Sequence, residues 1–306
     1  MVIADTPAGL PGYGKLEPSF FLPLFSEALL RQQLGLRVAL TSKQASAWAP
    51  KAAAAIFVFN EEYANRSAKF LPTSITSGPQ HIFNNPQFAQ IIADKEKTHR
   101  HLASFNISTT KLANADGKGQ VFSNARANSR AETHLYDSAQ TAPAERFNTE
   151  YVDTTFQHND KSYYTMVRLM VVGDELSAGL CFARDASEQN PSVHALDTPL
   201  DPTLLQALHR ELVDGLWAEH QRLAKRVSEA LGFGFWHIDV LIEKDTLACY
   251  VCEVGMKFHN MSYFAHLNQL EEIPREIRPH IDRDYPRRSA EAFLRCIANQ
   301  QLSFDT

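Results

Sequence analysis

Two short apolar strands near the C-terminal end, each carrying one acid, constrain this chain most. Trp236-His237-Ile238-Asp239-Val240-Leu241-Ile242 and Cys249-Tyr250-Val251-Cys252-Glu253-Val254 are rich in β-branched and aromatic residues, and Glu243-Lys244-Asp245-Thr246 between them is a polar turn. The pair therefore predicts a hairpin. Side chains alternate across a strand, so Ile238, Val240 and Ile242 share one face and Asp239 takes the other, where Glu253 can meet it. Two carboxylates so close repel unless a cation or a proton lies between them. An oxygen-only pair suits Mg²⁺, which takes one or two carboxylates and completes its shell with water and phosphate oxygens. The alternative is that both acids face solvent on an exposed hairpin.

At 306 residues, 44% hydrophobic and 21% charged, the chain can bury a large core and is expected to divide into two or three sub-domains. A formal charge of −5 gives no electrostatic footprint for nucleic acid, despite local basic clusters such as Arg283 to Arg288. Four cysteines and no secretory pattern after Met1 predict a cytoplasmic protein with reduced thiols. Cys249 and Cys252 have CxxC spacing inside a predicted strand, where positions three apart point to opposite faces, and no second pair completes a zinc site. No apolar run approaches the roughly 20 residues of a membrane span, so no membrane partner is expected.

Three segments follow from the local patterns. Residues 1–77 predict a small open α/β domain: a helix over 20–34 closed by Gly35, a strand at 36–40, a helix at 46–54 and a strand at 55–59. No glycine-rich phosphate loop follows either strand. Residues 78–153 open with an Asn84-Asn85-Pro86 turn before a helix with Phe88, Ile91 and Ile92 on one face. A helical stretch from Asp94 to Phe105, a strand at 120–124 and an edge strand at 146–153 complete this segment. Residues 154–306 predict one long strand at 161–172, a Gly173-Asp174-Glu175 turn and a return strand to Arg184. A single amphipathic helix over 201–231, closed by Gly232 and Gly234, precedes the acidic hairpin, and a last helix spans 289–299.

This order of features, over about residues 84–260, resembles the ATP-grasp superfamily, the fold of D-alanine ligases, glutathione synthetases and ribosomal-protein glutamate ligases. The resemblance implies an α/β protein with an ATP-grasp-like fold preceded by the N-terminal α/β domain. It implies that Lys95 approaches nucleotide phosphates, that Glu150 and the backbone of Val152 meet the adenine, and that Asp153 reaches the ribose. Arg168 matches the arginine that faces the terminal phosphate, with Arg184 as a further neutralising cation, and Asp239 and Glu253 match the two metal-binding acids. Where the family has Glu-x-Asn, this chain has Glu253-Val254-Gly255, which leaves Asn260 as the substitute ligand. The family's glycine-rich phosphate loop is replaced by Gln120 to Arg130, in which Arg126 and Arg130 supply positive charge. The activity implied is ligation with ATP and Mg²⁺, in which a small-molecule carboxylate becomes an acylphosphate and is taken by an amine. A non-catalytic nucleotide-binding module and a small-molecule kinase are the alternatives.

Taken alone, several of these residues also have plainer readings. Lys95 and Lys97 fit a solvated helix face. Arg168 fits either the solvent face of a half-covered strand or a cleft that binds an anion. His237 reads as a packed imidazole, because Mg²⁺ prefers oxygen. No Gly-x-Ser-x-Gly elbow points to a serine hydrolase.

Overall fold

The computed structural model describes residues 2–4, 21–39, 42–58, 81–114, 118–125, 133–194, 196–256, 261–281 and 284–304. Its first sheet is parallel and contains β1 (Val2–Ala4), β2 (Val38–Ala39), β3 (Ala54–Val58) and β4 (His81–Phe83) in the order β2-β1-β3-β4. Helices α1 (Phe21–Arg31) and α2 (Ser42–Trp48) connect its strands. Strand β4 thus belongs to the N-terminal sheet, although the sequence pattern groups it with the following segment.

Two short helices, α3 (Ala89–Ile92) and α4 (Lys95–Ser104), lead to a three-stranded antiparallel sheet. It is built from β5 (Lys118–Asn124), β6 (His134–Ser138) and β7 (Phe147–Glu150), with β5 in the middle. The largest sheet is antiparallel and runs β10-β9-β11-β12, with β8 (Thr155–His158) beside the first half of β9 (Lys161–Val172). Its other strands are β10 (Glu175–Asp185), β11 (Phe235–Ile242) and β12 (Cys249–Gly255).

The second half of β9 is buried on both faces, which is why Met166 to Val172 is apolar almost throughout. On one face Val167, Leu169 and Val171 join Ile238 and Val240 under Leu223, Val227 and Leu231 of helix α6 (Trp217–Leu231). On the other, Met166, Met170 and Val172 join Phe182 and Phe235. Phe25 of α1, and Phe293 and Cys296 of the last helix, cover that second face. Each such side chain contributes on the order of 1.5–3 kcal/mol through burial. The remaining helices are α5 (Pro202–Leu208), α7 (Met261–Leu267), α8 (Arg278–Ile281) and α9 (Tyr285–Phe304). Among the described residues no helix is long and apolar enough to cross a membrane, and all four cysteines are free.

Four helices differ from those the sequence predicts, the last running Tyr285–Phe304 rather than 289–299. Helix α1 ends not at Gly35 but through Gln33, whose φ of 60° lets the Leu34 amide donate to the Leu29 carbonyl at 3.0 Å. Helix α2 starts at Ser42, and Pro50 falls in a 3₁₀ turn, because it lacks the amide that an α-helix would need there. The single helix expected over 201–231 is broken by a π-helical turn at His209–Asp214. There the Gly215 amide bonds the Arg210 carbonyl at 3.0 Å, an i to i−5 step. A Cβ at Gly215 would lie 2.8 Å from the Glu211 carbonyl oxygen, so the close turn needs a glycine.

Candidate functional site

Strand register sets the site. Arg168 on β9 pairs with Asp239 on β11, and Asp239 pairs with Glu253 on β12, so three charged residues form one row across adjacent strands. A β-bulge after Asp239 is part of this arrangement. Val251 and Val254 are three positions apart yet both lie in the same buried cluster, which a regular strand forbids and one extra residue allows. The row is not an exposed hairpin: Arg168 and Asp239 are only 5% and 4% accessible.

Arg168 donates from Nε to Oδ1 and from Nη2 to Oδ2 of Asp239, both at 2.7 Å, a bidentate pair. Burial alone would lower the Arg168 pKa, but the Asp239 charge outweighs it and raises the pKa above its ordinary value. The guanidinium carbon lies 5.6 Å from the centre of the Phe182 ring. Two of the five guanidinium N–H donors are engaged by Asp239, which leaves capacity for a further anion.

Lys95 completes the charge pattern. It is the first residue of α4, whose N-cap Asp94 accepts from the Lys97 amide, and its ammonium lies 3.3 Å from Glu253 Oε2 while almost fully buried. Lys97 is exposed, so the solvated reading holds for Lys97 and fails for Lys95. One helical turn beyond Lys95, His99 presents Nε2 to the Cys252 carbonyl at 3.0 Å and Nδ1 to the Thr110 carbonyl at 3.1 Å. Positions i and i+4 share a helix face, so this contact to the bulge fixes where Lys95 points. Burial lowers the His99 pKa against the opposing pull of the two carbonyls. Burial would also raise the Glu253 pKa, yet Lys95, then His237 and Arg168, hold it well below the usual carboxylate range.

The remaining sequence-predicted residues lie outside this cluster. Glu150 is exposed and faces Lys111 across 3.9 Å. Asp153 pairs with Lys244 of the β11–β12 turn at 2.5 Å and accepts from the Thr155 amide at 3.0 Å, while Val152 sits half-buried beside it. Arg184 shares the site face of β10 but stands four residues from Leu180, the partner of Arg168, about 13 Å along the strand. There it donates to Asp197 at 3.1 Å. Arg126, Arg130 and Asn260 lie outside the described residues.

His237, which the sequence marks as a packed imidazole, is buried beside the cluster, and a second histidine, His194, is not marked by the sequence. His237 is fully buried, and its Nε2 lies 3.8 Å from Glu253 Oε1. His194, in the loop after β10, bonds Ser192 through Nε2 at 2.9 Å. Desolvation lowers its pKa, with Asp197 opposing the shift and Arg184 adding to it. The alternation of His237 and Asp239 puts both on one strand face. Nothing local marks His194.

These residues fit a divalent cation. One donor atom from each of His237, Asp239 and Glu253 lies within 4.8 Å of the others, the one such group among the described residues. Two carboxylates with a third donor on a buried face can bring a cation to phosphate oxygens, and Lys95 and Arg168 add fixed positive charge beside it.

No family model matches the sequence, and a search of curated proteins returns no match. Solved structures do match. The ATP-grasp ligase PsnB, complexed with a phosphomimetic variant of a minimal precursor, Mg and ADP, gives a TM-score of 0.53 at 11% identity, over 97% of this chain and 96% of that one. D-cycloserine synthetase DcsG gives 0.52 at 12% identity, over 97% and 99%. At these identities the likeness is one of fold, and over nearly the whole of each chain that fold is ATP-grasp.

Proposed function

We propose that this protein is an ATP-dependent ligase that activates a small-molecule carboxylate and passes it to an amine, in the cytoplasm and without a nucleic-acid partner. The observation that carries this reading is the row of buried Arg168 and Asp239 with half-buried Glu253, and Lys95 against it, on a sheet of ATP-grasp fold. Transfer of the γ-phosphoryl group spreads negative charge over its oxygens, and catalysis consists mainly of meeting that charge with fixed cations. Lys95 and Arg168 are such cations, each oriented by a carboxylate. Arg184 and Arg126 are assigned to further phosphate or substrate contacts, Glu150 and Val152 to the adenine, and Asp153 to the ribose. Asp239 and Glu253 would hold Mg²⁺, with Asn260 as a further oxygen ligand; the cation supplies Lewis-acid charge at the phosphates.

In the reaction, a substrate carboxylate oxygen attacks the γ-phosphorus, a new O–P bond forms, and the β,γ-bridging bond breaks to release ADP. The amine then attacks the acyl carbon, phosphate departs with its electron pair, and the nitrogen loses a proton. No protein nucleophile is required. A second reading, a nucleotide-binding module without turnover, draws support from Gly255 standing where a third oxygen ligand is expected. The test is a product assay over a panel of carboxylates and amines. A ligase forms ADP and phosphate only with both partners, and hydroxylamine traps the acylphosphate as a hydroxamate. ADP with a phosphorylated product and no free phosphate identifies a kinase, and bound nucleotide that never turns over identifies the module.

A further inference from the structure

The register of β11 and β12 places His237 directly across from Gly255, the position without a side chain. His237 is fully buried two residues before Asp239 on the same strand face, and its Nε2 is turned toward Glu253 Oε1 at 3.8 Å. An imidazole from the neighbouring strand thus stands opposite the position where Gly255 offers no donor. We propose that His237 is a protein ligand of the cation centre, and that the centre takes a first-row transition cation, with Mn²⁺ as its probe, in preference to Mg²⁺.

The chemistry follows from the donor set. Mg²⁺ demands hard oxygen ligands and keeps its waters, whereas imidazole nitrogen suits Fe²⁺, Ni²⁺, Cu²⁺ and Zn²⁺; Mn²⁺, the weakest binder of that first-row series, serves as their paramagnetic probe. With one nitrogen and two carboxylates, the site gains little for Mg²⁺ from His237 and more for ions further along that order. Lys95 and Arg168 are the competing cations, because the ammonium lies 3.3 Å from Glu253 and the guanidinium engages both Asp239 oxygens at 2.7 Å, and Lys95 must yield when the cation binds Glu253. The inference rests on the ligase reading for the purpose of the cation, and on the side-chain geometry for its identity.

The experiment is pulsed electron paramagnetic resonance on metal-stripped full-length protein titrated with Mn²⁺ alone, with Mg²⁺ affinity measured by competition. The expected result is an imidazole nitrogen hyperfine coupling on bound Mn²⁺ in the unaltered protein. His237→Gln should remove that coupling and weaken Mn²⁺ by about tenfold or more while changing Mg²⁺ by less than about threefold. Bound Mn²⁺ without nitrogen coupling, no Mn²⁺ binding at millimolar concentration, or equal losses for both ions in His237→Gln overturns the proposal. The coupling is read on the unaltered chain, so a poorly folded variant does not remove the test. Calorimetry with ATP on the same samples separates the two readings. ATP that binds while Mn²⁺ shows no nitrogen coupling sinks the metal assignment alone, and nitrogen-coupled Mn²⁺ without any ATP binding sinks the ligase reading alone.

Discussion

Arg168 reaches from β9 to Asp239 on β11 and holds both carboxylate oxygens at 2.7 Å, with both side chains almost fully buried. Removing one member of a buried ion pair leaves an uncompensated charge, which costs about 3–5 kcal/mol. Arg168→Met should therefore lower the unfolding free energy by that amount in urea. Combining Arg168→Met with Asp239→Leu should recover most of the loss. A single substitution that costs less than about 1 kcal/mol would contradict the pairing.

Glu253 carries a different weight, because Lys95 and His237 both converge on it. Glu253→Gln keeps the shape and removes the charge that holds the cation and orients Lys95. Loss of a ligand to a charge-stabilising cation is worth a few kcal/mol of transition-state stabilisation, on the order of a hundredfold or more in rate. ATP turnover should fall by that factor while circular dichroism shows an intact fold. Full turnover in Glu253→Gln would remove the residue from the site.

The acid sensitivity of the fold should start with buried histidines. His209 lies in the π-helical turn, fully buried, 3.2 Å from the Tyr263 hydroxyl and with its ring centre 5.2 Å from that of His280. Burial, then the neighbouring His280, push its pKa well below the ordinary value. The unfolded chain takes up the proton near pH 6.5. The folded chain does so only at lower pH, so this contribution is present above about pH 6.5 and is lost as pH falls toward the folded value. The urea midpoint should drop between about pH 7.5 and 5.5, and His209→Gln should flatten that drop. An equal slope in both proteins would place the sensitivity elsewhere.

Much of this architecture is legible in the chain because burial imposes local patterns. The long apolar run of β9 marks a strand covered on both faces, and the alternation in β11 predicts that Asp239 leaves the core face. Even the bulge leaves a trace in the spacing of Val251 and Val254. What stays hidden depends on packing between distant segments. The burial of Lys95 follows from α4 docking on β12 through His99 and the Cys252 carbonyl, 153 residues apart in sequence. The break at His209–Asp214 is masked because its leucines keep helical spacing on both sides, and β1 and β6 are too short or too exposed to show an alternation. The ion pair of Asp153 with Lys244, on a turn of the adjacent hairpin, is another contact between distant segments that the sequence does not show.

On this reading, the Asp239 and Glu253 row binds a cation that in turn binds nucleotide. Isothermal calorimetry of metal-stripped protein with ATP, with and without a divalent cation, tests it most directly. The expected Kd lies between about 1 μM and 1 mM, equivalent to about 8 to 4 kcal/mol, appears only when the cation is present and weakens sharply in Glu253→Gln. ATP binding that is indifferent to the cation and to Glu253, or no binding up to millimolar ATP, would contradict it.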